Sequence, residues 1–280
     1  MRTDQQPPDY ARYLGIDYSG AETPTSSLSR LRVYLALGRE EPREVKPPPG
    51  PKRYWTRRGL AEYLIAFLRE SPRTVVGMDH GFSLLLAYFD DHKIKYDWDS
   101  LLGYFLAHWP THEDSVWVDH IRFGLSGQKE QRTGDSKWRR LCELRVKGAK
   151  SVFHFDCQGS VAKSTHAGLP WLKLLRSSKG VNAHFWPLDG WEPPPVGHTV
   201  TEVYPSLWRG RYSVQEGRTA DQQDAYTVAK WLQEADGSGE LQNAFAPDTS
   251  LKERMVGRIE GWILGVGSNT RPNTALWTIG

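Results

Sequence analysis

Three short apolar runs, each carrying a carboxylate at or near its end, constrain the fold of this chain most. Tyr13-Leu-Gly-Ile-Asp17 and Arg73-Thr-Val-Val-Gly-Met-Asp79 stop at an aspartate, and Thr199-Val-Thr-Glu-Val-Tyr204 carries Glu202. Runs of this length predict buried strands. A carboxylate at a buried strand end is costly to desolvate unless a positive charge lies nearby, and ligands bind at that edge of α/β sheets. We expect the three carboxylates to lie together there. The alternative for each is a carboxylate that caps a following turn.

The patterns between these runs predict the other elements of an α/β fold. Leu31–Leu37 alternates apolar and polar residues like a partner strand. Apolar positions at helical spacing predict helices over Thr56–Glu70, with Thr56 as N-cap, over Thr219–Ala235, and from Ser250 to about Leu264. Strands alternating with helices favour a sheet covered by helices.

The domain organisation follows from composition along the chain. Residues 1–10 are polar and predict a tail, and residues 11–280 predict one domain. Between about 81 and 195, helical patterns mix with basic residues, and the length of this stretch suggests a lid inserted over the core in place of a core strand.

The late helix adds two acids on its buried side. At 100° per residue, Asp221 and Asp224 share a stripe with Ala225, Val228 and Leu232. Asp221 has an alternative role as N-cap, and favourable interaction with the helix dipole is the alternative for Asp224. Several carboxylates completed by water and substrate phosphate are typical of a Mg²⁺ or Mn²⁺ site. Two such ions about 3.5–4 Å apart support phosphodiester cleavage.

Positive charge is concentrated between Gln128 and Gly180, where twelve Lys and Arg residues stand against four acids. Trp138, Phe153 and Trp171 are interleaved with these charges, as suits a surface that neutralises phosphates and stacks bases. The alternative is a solvated helix face with core aromatics. The nucleic-acid-binding candidates are Lys137, Arg139, Arg140, Lys147, Lys150, Lys163, Ser164 and Thr165.

Two smaller features border these motifs. Gly159-Ser-Val-Ala-Lys163-Ser164-Thr165 is similar to the end of a P-loop, but Ala162 and Cys157 stand where that motif needs glycine. Its last three residues are therefore candidates for phosphate contact, or simply the polar start of a helix. His80 follows Asp79 and is a candidate for proton transfer or phosphate contact, with a hydrogen-bonded structural histidine as the alternative.

The acidic motifs resemble those of an uncharacterised family of predicted RNase H-like nucleases. The segments that carry the resemblance are Tyr13-Leu-Gly-Ile-Asp17-Tyr-Ser-Gly, Val75-Val-Gly-Met-Asp79-His-Gly-Phe, Thr201-Glu202-Val-Tyr-Pro-Ser, Asp221-Gln-Gln-Asp224-Ala, the region from Gly148 to Trp171, and Trp186-Pro-Leu-Asp-Gly-Trp191. The match spans most of the chain. It implies an RNase H-like mixed sheet of five strands flanked by helices, with a large helical and basic insertion. It also implies catalytic acids at Asp17, Asp79, Glu202 and Asp224.

Composition excludes several classes of protein. No apolar run approaches the roughly 18 residues of a membrane span, and no hydrophobic signal core follows Met1, so we expect a cytoplasmic protein without a membrane partner. Cys142 and Cys157 lack the spacing of a zinc knuckle. The sequence therefore predicts a nuclease that uses Mg²⁺ or Mn²⁺ at Asp17, Asp79, Glu202, Asp221 and Asp224, with DNA or RNA as partner. The alternatives are a non-catalytic nucleic-acid-binding module and a phosphotransfer enzyme acting on a nucleotide or small molecule.

Overall fold

The computed structural model describes residues 9–125 and 133–268, and these form a mixed sheet flanked by helices. The strand order is β3-β2-β1-β4-β6-β5, and the strands are β1 (Arg12–Asp17), β2 (Arg32–Leu37), β3 (Arg43–Glu44), β4 (Thr74–Asp79), β5 (Ala183–Trp186) and β6 (His198–Glu202). Strand β2 is antiparallel to β1 and β3, whereas β1, β4, β6 and β5 run parallel. The predicted α/β class is confirmed.

Helices connect the strands and cover both faces of the sheet. They are α1 (Arg57–Glu70), α2 (Leu86–Asp91), α3 (Trp98–His108), α4 (Val118–Arg122), α5 (Leu141–Leu144), α6 (Ala162–Ser177), α7 (Ala220–Ser238), α8 (Glu240–Phe245) and α9 (Leu251–Glu260). Among the described residues, no helix has the length and apolar character needed to cross a membrane.

Alternation of side chains along the strands builds a separate core on each face. Leu14 and Ile16 of β1 pack in one core with residues of α1, α3 and α6. Tyr13 and its β4 neighbour Val75 pack in the other core, with residues of α7. The two cores share the sheet, so the strand ends are held from both sides.

Local sequence signals account for the helix starts. Thr56 caps α1 as predicted, because its side chain accepts a hydrogen bond from the Gly59 amide. Thr219 caps α7 and forms a capping box with Gln222. Asp221 therefore lies in the first turn of α7 and is not its N-cap.

The stretch predicted as an inserted lid differs from that expectation. It contains β5, which adds a sixth strand at the sheet edge where the family resemblance implied five. It also contains α6, whose buried side chains belong to the same core as those of α1. The predicted tail also ends earlier than expected, because Tyr10 is buried and its amide donates to Asp236. Residues 1–8 lie outside the described residues, as do Lys129 and Arg132 of the basic segment.

Candidate active site

Asp17 and Asp79 are direct neighbours at the carboxyl ends of two parallel strands. They are register partners in the β1–β4 pair, and both side chains are half-buried. Because alternate residues share a face, both carboxylates lie on the face that Tyr13 and Val75 present to α7. The predicted juxtaposition of these two acids is therefore seen in the structure.

Helix α7 reaches this edge because two glycines let it approach the sheet. A Cβ atom on Gly15 would lie 2.2 Å from the carbonyl oxygen of Ala225, and one on Gly77 would lie 2.7 Å from Cγ1 of Val228. Gly15 and Gly77 are themselves register partners, two residues before the aspartate pair. The close contact brings Asp224, the neighbour of Ala225, to the same edge.

The electrostatics of the carboxylates show that they form one group. Burial and then the charges of Asp79, Asp221 and Asp224 hold the pKa of Asp17 well above its usual range. Burial, followed by Asp224 and Glu202, raises the pKa of Asp79 to about 8. Burial also raises the pKa of Asp221, against the opposing charges of Arg30 and Arg32. Such raised values mark like charges that share a site without full neutralisation.

Arg209, which was not among the residues singled out from the sequence, is a cation that faces Asp17 and Asp79 and pairs with Asp224. Its Nη2 donates to Oδ2 of Asp224 at 2.8 Å, and its Nε donates to Oδ1 at 3.3 Å. The preceding Trp208 stacks on Trp231 of α7, with ring centres 3.9 Å apart, which fixes the loop after β6 against the helix. The one available signal was the pair of arginines in Arg209-Gly-Arg211, directly after the third acidic strand.

Glu202 does not join the aspartates, which corrects its predicted role in metal binding and catalysis. Its register partner in β4 is Met78, one residue before Asp79, so its side chain lies on the opposite face of the sheet. There both carboxylate oxygens accept from Arg140, at 2.6 and 2.7 Å, and one also accepts from the Phe82 amide. With its oxygens occupied in this way, Glu202 is a structural residue.

Arg140 is correspondingly not available to bind nucleic acid. Its side chain is 1% exposed and pairs with Glu143 at 2.8 Å as well as with Glu202. An arginine satisfied by two buried carboxylates stabilises the fold around β6 and α5 and offers no donor to a phosphate in solvent. The prediction for this residue is therefore wrong.

Three further candidates, His80, Ser164 and Thr165, are buried and make hydrogen bonds within the protein. Burial lowers the pKa of His80 to about 4, and its Nδ1 contacts the carbonyl oxygen of Gly81, so the ring is neutral at physiological pH. Thr165 accepts from the Gly81 amide at 2.9 Å, and Ser164 donates to the carbonyl oxygen of Val161 at 2.9 Å. Ser164 and Thr165 are also buried, which does not fit phosphate contact.

The remaining basic candidates lie at the surface or beside the acidic edge. Lys137, Arg139 and Lys147 are exposed. Lys150 lines a cleft that also includes Asp79 and Tyr204, and its Nζ donates to the carbonyl oxygen of Gln158. Lys163 pairs with Asp119 at 2.6 Å, and both line a second cleft with Gly20, which follows Asp17 closely in the sequence.

The carboxylate oxygens at this edge are of the type that binds hard divalent cations, but the described side chains are not arranged as a coordination site. Asp17, Asp79 and Asp224 supply carboxylate oxygens, which Mg²⁺ and Mn²⁺ prefer. Within residues 9–125 and 133–268, however, no group of three or more His, Cys, Asp or Glu side chains is arranged as a metal site. The Arg209 guanidinium instead occupies the carboxylate of Asp224.

Chemically, the edge offers two adjacent carboxylates with elevated pKa values, a third on α7, and a guanidinium that can exchange one anion for another. Such a group favours a cationic ligand over a neutral one, because a cation relieves the repulsion among the carboxylates. No protein-family profile, curated protein or solved structure matches this chain.

Proposed function

We propose that this protein is a metal-dependent nuclease of RNase H-like fold that hydrolyses phosphodiester bonds of nucleic acid. The observation that carries the proposal is the cluster of Asp17, Asp79 and Asp224, contributed by β1, β4 and α7 at one edge of the sheet. A mixed sheet flanked by helices, with β1 at its centre, supports the same reading.

Asp17, Asp79 and Asp224 would hold Mg²⁺ or Mn²⁺, with Asp221 one turn earlier on the same helix. The bound cation supplies an activated water and neutralises charge on the leaving oxygen. The protein's own contribution is position: strand register fixes Asp17 beside Asp79, and the Gly15 contact fixes the distance of α7. Half-burial of the carboxylates limits competing water and strengthens their attraction for a cation.

Arg209 has two roles in this proposal. Without ligand it compensates the charge of Asp224. If Asp224 held a cation, the Arg209 guanidinium would be free to donate to a phosphate oxygen, as arginine does with two donors. Its side chain is 60% exposed, so this exchange requires no change in the core.

Nucleic acid would lie along the acidic edge. Lys150 lines the cleft that includes Asp79, and Lys163 lines the cleft that includes Gly20, shortly after Asp17 in the sequence. Exposed Lys137, Arg139 and Lys147 add positive charge to the same segment of chain. Cations placed beside carboxylates allow a polyanion to approach a site that would otherwise repel it.

The test is a cleavage panel of labelled single-stranded DNA, single-stranded RNA, duplex DNA and RNA–DNA hybrid, each with Mg²⁺, Mn²⁺ or EDTA. Asp17→Asn and Asp224→Asn are compared with Asp91→Asn, an exposed acid at the end of α2. We expect metal-dependent cleavage that falls more than about 100-fold in the first two variants, beyond the usual cost of losing a supporting group. Equal cleavage by all three variants would overturn the proposal.

A second candidate is a nucleic-acid-binding module without catalysis. The ion pair between Arg209 and Asp224, together with the lack of a closed metal site among the described side chains, favours it specifically. It predicts binding that weakens with salt, does not depend on divalent cations, and leaves every substrate in the panel intact. A thermal shift with ATP in the absence of cleavage would instead favour phosphotransfer.

A further inference from the structure

A polar groove of about 390 Å³ opens beside the carboxylate cluster, between the segment after β2 and the start of α7. Arg32 connects the two features, because it is the register partner of Asp17 and also lines the groove. On the other side, the groove reaches Thr219 and Gln222, which flank Asp221 in the sequence. The volume is within the range of small-ligand sites.

The groove is lined by the ring of Tyr54 and by two guanidinium groups close to it. The ring centre of Tyr54 lies 4.8 Å from Cζ of Arg32 and 5.2 Å from Cζ of Arg53. The Tyr54 backbone is anchored, since its amide donates to Oγ of Ser27 at 3.0 Å. The backbone at Tyr54 is therefore fixed, and its side chain is half-exposed and lines the groove.

The charges of the groove are positive and only partly compensated. Its acid, Glu44, has one oxygen on Arg32 and the other on the side-chain amide of Gln222. Lys46 and Arg53 are exposed, and neither forms an ion pair with an acid in the described part of the chain. Nε of Arg32 is buried and has no hydrogen-bond partner there either. The exposed Lys46 ammonium and Arg53 guanidinium therefore present donors to an anion in the groove.

We propose that this groove binds an unpaired nucleotide of the nucleic-acid strand, next to the phosphodiester at the carboxylates. The base stacks on the Tyr54 ring, and the flanking phosphates contact Arg53 and Lys46. This inference rests on the proposed function and adds to it a preference for single-stranded substrate. A paired base has both faces covered within the duplex, so only an unpaired base can stack here.

The experiment measures binding apart from cleavage. Fluorescence anisotropy in EDTA follows labelled 12-nucleotide single strands of DNA and RNA and a blunt DNA duplex. Tyr54→Leu removes the aromatic face, Tyr54→Phe retains it, and Tyr96→Leu removes an exposed tyrosine elsewhere on the surface. We expect Tyr54→Leu to weaken single-strand binding about 10-fold or more and duplex binding less than about 2-fold. Tyr54→Phe and Tyr96→Leu should bind as wild type does.

Equal single-strand affinity of Tyr54→Leu and wild type would overturn the inference, as would a wild type that binds no strand at all. Tight binding of a mononucleotide with no gain from the longer strand would also overturn it, in favour of a nucleotide site. Should Tyr54→Leu fail to fold, the exposed pair Lys46→Gln and Arg53→Gln carries the test, with an expected fall of about 1.4 in the salt-dependence slope. Loss of cleavage in Asp17→Asn bears on the proposed function and leaves these binding results unchanged.

Discussion

At the scale of single residues, the candidate site brings buried carboxylates together, which is electrostatically unfavourable. Asp17 and Asp79 lie side by side, and both pKa values are raised first by burial and then by neighbouring carboxylates, among which Asp224 acts on both. Glu202 and Arg140 show the opposite arrangement, in which each buried charge has a partner within 2.7 Å. Because uncompensated charge destabilises a fold, the raised pKa values at this sheet edge support the proposal that the edge binds a ligand.

The raised pKa of Asp79 predicts a stability that falls with pH. Its folded value of about 8 exceeds the usual 3.8, so the folded protein binds more protons between these values and loses stability as pH rises. The lowered pKa of His80 makes stability depend on pH only below about pH 6.5, the usual pKa of histidine. Above that pH its contribution to stability is complete. In EDTA, we expect a loss of about 1 kcal/mol between pH 7 and pH 8.5. Urea denaturation at both pH values measures it.

Asp79→Asn is the control for this pH dependence. The variant should match or exceed wild type in stability at pH 8.5, and its free energy of unfolding should fall less than that of wild type over the same interval, since Asp17 keeps a raised pKa of its own. Mg²⁺ should stabilise wild type more at pH 8.5 than at pH 7, because the cation binds the ionised carboxylates. A wild-type stability that rises from pH 7 to pH 8.5 would contradict the assignment of these carboxyls as an uncompensated group.

Arg140 provides a second prediction at this scale. Arg140→Met leaves Glu202 and Glu143 buried without their cation, and loss of one partner of such a pair costs about 3–5 kcal/mol. Arg139→Met changes an exposed neighbour and should cost less than about 0.5 kcal/mol. Chemical denaturation of both variants measures the difference. An Arg140→Met protein with wild-type stability and weakened nucleic-acid binding would restore the role predicted from sequence.

At the scale of elements, the hydrophobic pattern of the sequence predicts strands and helices, but it does not predict the register in which strands pair. The apolar runs predicted β1 and β4, and helical spacing predicted α1 and α7, because each of these elements buries one continuous set of side chains. In the sequence Glu202 looked equivalent to Asp17 and Asp79. Its register partner in β4 is Met78, one residue before Asp79, so Glu202 lies on the opposite face of the sheet, and this pairing could not be read from the sequence. The four-residue β5 was too short to show a period of its own.

The contact between α7 and β1 yields a prediction for the element that carries Asp224. Gly15→Ala places a Cβ against the Ala225 backbone, so helix α7 must shift. We expect a loss of about 3 kcal/mol in stability and a displacement of Asp224 from the other carboxylates. Gly103→Ala is the matched control: Gly103 is an exposed position of α3 where a Cβ meets nothing within 4 Å, so the variant should gain about 0.5–1 kcal/mol. Thermal denaturation reports both changes. Equal stability of the two variants would contradict the close approach.

At the scale of the whole molecule, the sheet joins parts that the sequence suggested were separate. Residues of the predicted insertion, among them Phe105 and Leu172, lie in one core with Ile16 and Met78 of the sheet. Trp186 of β5 and Trp231 of α7 lie in the other core. Composition alone marked the stretch from 81 to 195 as different, because its surface is basic, but burial depends on which side chains meet the sheet. The insertion is thus part of the domain that supports the site.

This shared sheet predicts that both faces unfold together. Helix α6 on one face and α7 on the other pack on the same strands, so loss of either core exposes the sheet to water. Hydrogen exchange measured by mass spectrometry at increasing urea should show peptides of α6 and α7 losing protection at one midpoint, within about 0.3 M. Peptides that cover the exposed residues 113–115 serve as the reference for local opening. A separate, earlier transition for α6 would mean that the insertion folds as an independent lid, and that Lys163 could move relative to Asp17 during binding.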